Sequence, residues 1–91
     1  MKRFVIEREI PGVGRLNGQQ LKDASATSNT ALAKLSGKVQ WLQSYVADDK
    51  TFCIYLADHE SSVQEHAQLS GFPASKITEV RNILEPMTAF C

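Results

Sequence analysis

Cysteine is scarce in this chain. Of 91 residues two are cysteines, Cys53 inside a strand-like run and Cys91 at the last position. Neither belongs to a CxxC pair. They read as a buried thiol and a frayed terminal thiol in a reducing compartment. Charge of one sign is missing as well. Ten basic residues balance ten acidic ones, and no Lys/Arg run occurs. Nucleic acid is therefore not an expected partner. No segment approaches the ~18 consecutive apolar residues of a membrane helix. The opening MKRFVIEREIPG starts basic but lacks the apolar core of ~7–15 residues of a signal peptide. A cytoplasmic protein with no membrane partner is expected. Glycine is sparse too. Gly12-Val13-Gly14 lacks the Lys-Ser/Thr of a phosphate loop and is too short to be one.

What is present is the composition of a globular domain: 43% hydrophobic and 22% charged residues. Residues 1–91 are read as a single domain. A chain this short buries roughly 60–65% of its unfolded surface, so a partner subunit, a metal or a disulfide is the usual source of extra stability.

Residues 3–10, RFVIEREI, have the β-formers of a strand, and Pro11-Gly12 ends it. A loop at 11–17 leads to a helix over 18–36. Asn17 and Gln20 have the spacing of a capping box. Leu21, Ala24, Ser28, Ala31, Leu32 and Leu35 form a thin stripe, and Gly37 stands just past the end. Residues 38–47 and 51–57 flank Asp48-Asp49-Lys50 and read as a β-hairpin. A second helix follows over 59–70, with Asp58 as its cap and Gly71 and Pro73 as its stop. ITEVRNIL, residues 77–84, makes the last strand. The order βαββαβ predicts an α+β, ferredoxin-like fold: a four-stranded antiparallel sheet with two helices on one face.

One sheet face is then left open. A three-residue turn at 48–50 sets odd hairpin residues opposite odd ones. It places Leu42, Ser44, Val46, Phe52, Ile54 and Leu56 against the helices. Val39, Trp41, Gln43, Tyr45, Cys53 and Tyr55 fall on the open face. Phe4, Ile6, Ile10, Val80 and Leu84 join the core, with Arg8 a misfit near the edge. Val5, Glu7, Glu9, Ile77, Glu79, Arg81 and Ile83 join the open face. A two-residue turn would shift the register and break this sorting. An open face carrying Trp41 and two tyrosines predicts a homodimer, with Glu7, Trp41, Gln43, Tyr45, Tyr55, Glu79 and Arg81 as candidate ligand-binding residues. The plain alternative is surface ion pairing by Glu79 and Arg81 with Glu7 and Arg8.

EREIPGVG, WLQSYVADDKTFCIYLA, EHAQLSGFPASKI and EVRNILEP together resemble a bacterial family of small domains of unknown function. One branch of that family is nickel-binding. The resemblance covers nearly the whole chain and implies a ferredoxin-like subunit that dimerises as an α+β barrel. Relatives often carry His where this chain has Gln43, whose amide oxygen is a poor substitute for imidazole. Glu7, Glu79, Cys53 and His66 are the candidate ligands for nickel or another divalent transition metal. The expected function is a metal-ion or small-ligand binding module. The alternative is a small cofactor-free enzyme, an oxygenase or isomerase, with Glu7, Tyr45, Glu79 and His66 as acid–base groups and Arg81 steering an anion; that rests on fold analogy alone.

Overall fold

The computed structural model describes residues 1–90; Cys91, expected as a free terminal thiol, lies outside them. The predicted βαββαβ order is found. Strand β1 spans Lys2–Glu9, helix α1 Gly18–Ala33, strands β2 and β3 Val39–Val46 and Lys50–Ala57, helix α2 Glu60–Ser70, and strand β4 Lys76–Val80. Short 3-10 turns occupy Val13–Arg15 and Pro86–Phe90. The sheet has four antiparallel strands in the order β2-β3-β1-β4.

Local chemistry explains the helix ends. Asn17 Oδ1 accepts the Gln20 N–H at 2.9 Å, and Gln20 Oε1 accepts the Asn17 N–H at 3.0 Å. That is the predicted capping box. At α2 the capping is displaced by one residue. His59 occupies the cap position without a side-chain bond, while Asp58 Oδ1 accepts from the His59 N–H and the Ser62 hydroxyl. The Ser62 hydrogen bond, foremost, holds the Asp58 carboxyl below its ordinary range. Gly71 closes α2 at φ 77°, in the left-handed region that glycine adopts without strain.

The hairpin departs from expectation. The Ala47 N–H donates to the Lys50 carbonyl at 2.8 Å, and Val46 pairs with Thr51. The turn is therefore the two residues Asp48-Asp49, and next to it even residues of β2 pair with odd residues of β3. A second irregularity follows. Trp41 pairs with Tyr55 and Gln43 with Ile54, so Leu42 is an extra residue, a β-bulge. The bulge reverses the alternation of β2. Val39 and Trp41 precede it and face the helices; Gln43 and Tyr45 follow it and face outward.

These two devices overturn part of the expected sorting. Phe52, Ile54 and Leu56 lie on the open face, half-buried, and not in the core. Cys53 and Tyr55 lie under the helices, as do Val39 and Trp41. On β1 the sorting holds: Phe4 and Ile6 are buried, and Val5, Glu7 and Glu9 alternate outward. Arg8, however, is only 2% exposed. It is not an edge residue.

Strand β4 ends at Val80, earlier than the expected 84. The Asn82 side chain takes the Ile83 N–H at 3.2 Å, a local bond that competes with a sheet ladder. Ile77 packs on the core and Glu79 stands opposite Phe4 on the helix side. Both had been expected on the open face. Val80, expected in the core, stands opposite Arg3, outward. Leu84, also expected in the core, is exposed, as is Ile83.

The loop after β1 grips the hairpin turn. The Ile10 N–H donates to the Asp49 carbonyl, the Gly12 N–H to Asp49 Oδ1, and the Gly14 N–H to the Asp48 carbonyl at 2.9 Å. Gly14 approaches so closely that a Cβ there would stand 2.6 Å from the Ala47 carbonyl oxygen. Gly14→Ala is expected to lower stability by about 1–3 kcal/mol, the usual range for overpacking. Gly18→Ala, in the first turn of α1 with no atom within 4 Å, is expected to raise it by ~0.4–1 kcal/mol. Urea melts of the two variants beside the parent check both signs.

Candidate ligand-binding cavity

The core cluster gathers at one end of the helix–sheet layer, around Phe4, Ile6, Val39, Tyr55 and Val63. At the other end the first half of α1 stands off the sheet. Leu21, at the start of the predicted stripe, is 40% exposed because it borders a cavity and not the strands. The cavity measures about 380 Å³. Arg8, Trp41, Cys53 and Tyr55 form its floor. Ala24, Ser25 and Ser28 of α1 form its roof. Ile10, Val13 and Leu16 close one side, and Phe72 and Pro73 the other. The volume lies within the ~300–1,000 Å³ range of small-molecule sites. A shallower depression of about 470 Å³ between α2 and β4 is lined by Gln64, Gln68 and Phe72 among others and carries no charged side chain.

The polar groups of the cavity converge on Arg8. Its Nη1 donates to the Pro73 carbonyl at 2.7 Å and the Phe72 carbonyl at 3.3 Å, which pins the loop after α2. Its Nη2 lies 3.5 Å from the Tyr55 hydroxyl, long for a strong bond. The guanidinium also sits 5.8 Å from the centre of the Phe72 ring. Ser28 Oγ lies 3.2 Å from His66 Nε2, behind the cavity roof. Trp41 Nε1 donates to Ser44 Oγ at 3.0 Å across the bulge, which fixes the indole at the cavity floor.

Electrostatics sets the protonation of this cluster. Burial pushes the Tyr55 phenol above its ordinary value of 10.0, against the opposing pull of Arg8. It is a neutral O–H. Burial, with help from the Arg8 charge, pushes His66 below 6.5. It is a neutral imidazole whose Nδ1 is buried with no partner. A bare buried acceptor is more common than a bare buried N–H. We therefore assign the proton to Nε2, donating to Ser28 Oγ. That leaves the Ser28 O–H to donate to the Tyr55 oxygen.

The sequence-predicted site residues are divided by the sheet. Trp41, Tyr55 and Cys53 border the cavity. Gln43 and Tyr45 hydrogen-bond each other on the open face. Glu7 is also on the open face, 3.4 Å from Lys50. Glu79 and Arg81 form an exposed pair at 2.8 Å beside the edge strand, worth about 0–1 kcal/mol. His66 is buried behind Ser28. The candidate metal ligands Glu7, Glu79, Cys53 and His66 are not brought together. No group of three or more His, Cys, Asp or Glu among the described residues is arranged to hold an ion. The donor set does not fit a nickel centre within one chain. Sequence reasoning missed Arg8, Ser28, Ser44 and Thr51, which also line the cavity. The signal for Arg8 was available: it continues the buried Phe4, Ile6 alternation, a charge in a core register.

His66 gives a pH dependence with a definite sign. Its folded value is depressed, so between that value and 6.5 the unfolded chain binds more protons. The stabilisation is complete above about pH 6.5 and is lost as pH falls below it. Denaturant midpoints should decline from pH 7 towards pH 5. In His66→Gln, lower in stability throughout, that part of the slope should disappear.

The comparisons agree with this architecture. A family model described as "SCO4226-like: Nickel responsive protein SCO4226-like" matches residues 4–80. The crystal structure of SCO4226 from Streptomyces coelicolor A3(2) has the same fold, with a TM-score of 0.75 at 19% identity over 90% of this chain and 99% of that one. No curated protein matches the chain. No helix among the described residues is long and apolar enough to cross a membrane. With the family model covering most of its length, the chain belongs to the SCO4226-like family of nickel-responsive proteins.

Proposed function

We propose that the protein is a homodimeric small-ligand-binding module whose ligand occupies the cavity between α1 and the sheet. The observation that carries this reading is the cavity itself, roofed by a helix that stands off the sheet and floored by the buried Arg8. A helix held away from its sheet leaves Leu21 40% exposed at the cavity, and a bound molecule covers it. The family's nickel response makes a metal ion the rival occupant. The scattered positions of Glu7, Glu79, Cys53 and His66 favour an organic ligand instead. Glu9, at the rim, is the one carboxylate among the lining residues. The cavity thus lacks the buried carboxylate of an acid–base site, and binding is favoured over catalysis.

The dimer reading rests on the open face. Val5, Phe52, Ile54 and Leu56 form an apolar strip there, and Tyr45 is 58% exposed beside it. On β1 the strip runs from Arg3 at one end to Glu7 and Glu9 at the other. A two-fold axis through the strip sets Arg3 of one copy near the acidic end of the other. The occupant we propose for this face is therefore a second copy of the chain.

Two experiments test the reading. Indole, a neutral probe, should perturb the backbone amides of Leu21, Trp41 and Tyr55 in NMR spectra, and Ala24→Trp, which fills the cavity, should abolish the effect. An unperturbed spectrum overturns the module. Native mass spectrometry with and without nickel should give a dimer that retains no stoichiometric metal. Ile54→Lys should give a monomer. Nickel held at one ion per chain through buffer exchange would move the function to a metal centre.

A further inference from the structure

A buried positive charge in this cavity has no negative partner. The ion pairs among the described residues are Lys50–Glu7 and Arg81–Glu79. Neither includes Arg8, which is 2% exposed. Its hydrogen-bond partners are two backbone carbonyls and a phenol, all neutral. Burying a charge without a counter-charge is costly, and an anion offsets that cost.

Arg8 has a second role as a strut for the 72–73 loop, and geometry separates the two. Both carbonyls are held by Nη1. Nη2 has only the long contact to Tyr55. Beside it stands the Tyr55 phenol: the His66-to-Ser28 bond directs the Ser28 O–H to the Tyr55 oxygen, which leaves the Tyr55 O–H to donate into the cavity. A guanidinium edge and a hydroxyl donor at one end of a cavity form a receptor for a carboxylate. The rest of the lining is mainly apolar: Leu21, Ile10, Val13, Leu16 and the Trp41 ring. A bare inorganic anion would leave those surfaces without contacts. Arg8 is the one cation in the lining and Glu9 stands at the rim, so a single negative charge fits and a dianion does not.

We propose that the cavity binds a small organic monocarboxylate, its carboxylate on Arg8 and Tyr55 and its apolar body against Trp41 and α1. The proposal rests on the module reading above and adds the chemical class of the ligand. It assigns Arg8 and Tyr55 as the specificity-determining residues, with Ser28 as the positioning residue that orients the Tyr55 hydroxyl.

Trp41 is the only tryptophan in the chain, so its fluorescence reports the cavity directly. The probes are phenylacetate and its neutral isostere phenylacetamide, with inorganic phosphate as a competitor. Phenylacetate should shift the Trp41 emission saturably, with an affinity more than tenfold above that of the amide. Phosphate should not displace it at equal concentration. Arg8→Gln should erase the difference between acid and amide. If Arg8→Gln fails to fold by circular dichroism, Tyr55→Phe decides: it should weaken phenylacetate at least threefold and leave the amide unchanged. Equal affinity for acid and amide overturns the carboxylate assignment and leaves the module standing. Displacement by phosphate as readily as by phenylacetate overturns the apolar part. Binding of indole with no response to phenylacetate also overturns the proposal, while failure of indole as well removes the module with it.

Discussion

The register of the β2–β3 hairpin decides which way every side chain on β2 and β3 points. Two features set it: closure of the turn by Ala47 and Lys50, and the extra residue Leu42. Side chains alternate with a period of two, so each feature moves a whole set of residues to the other face. Together they leave Val39, Trp41, Ser44 and Val46 on the same side as Thr51, Cys53 and Tyr55. The bulge is braced by the Trp41–Ser44 hydrogen bond, and the turn by three backbone donors from residues 10–14. Loop, turn and bulge thus form one unit. The cavity lies directly beneath it, with Ile10 and Val13 of the loop in one wall and Trp41 of the bulged strand in the floor.

Within that frame the polar groups divide by burial. His66 and Tyr55 are held neutral by desolvation, which removes the cost of burying a charge on either. Their rings lie 5.1 Å apart and fill the space between α2 and the sheet. Arg8 has no such escape, because a guanidinium stays protonated in proteins. The fold accommodates it with backbone carbonyls from the loop after α2. The Ser75 N–H donates to the Glu7 carbonyl and the Ser75 hydroxyl accepts the Glu9 N–H, which tie the same loop to β1. The loop that carries Phe72 and Pro73 is therefore held on both sides of Arg8.

The relation to SCO4226 illustrates how little sequence identity a fold requires. At 19% identity the two share nearly the whole architecture. The backbone needs only the right alternation, caps and turns, which many residues supply. A metal centre needs particular donors at particular distances. The chain's four candidate ligands sit on two faces of the sheet and on α2, too dispersed for one ion. Arg8 and the apolar lining supply a different set of contacts. Membership of a nickel-responsive family and the organic-ligand site proposed above are compatible on one scaffold.

The sequence by itself determined the order of elements. Hydrophobic runs, the Asn17–Gln20 capping box, Gly71 and the polar break at Asp48-Asp49-Lys50 are local signals, each set by residues a few positions apart. It also determined that one sheet face would be left uncovered by the helices. Which residues form that face was decided only by the tertiary structure. A bulge leaves no mark in local composition, since Leu42 is an ordinary strand residue, and one residue of slip exchanges Phe52 and Ile54 for Cys53 and Tyr55. The end of β4 was likewise decided by a choice between the ladder and the Asn82 side chain. The cavity was least legible of all. It joins residues from β1, α1, β2, β3 and the loop after α2, which lie up to 65 positions apart for Arg8 and Pro73. Their convergence depends on long-range packing, which a reading of local pattern does not contain.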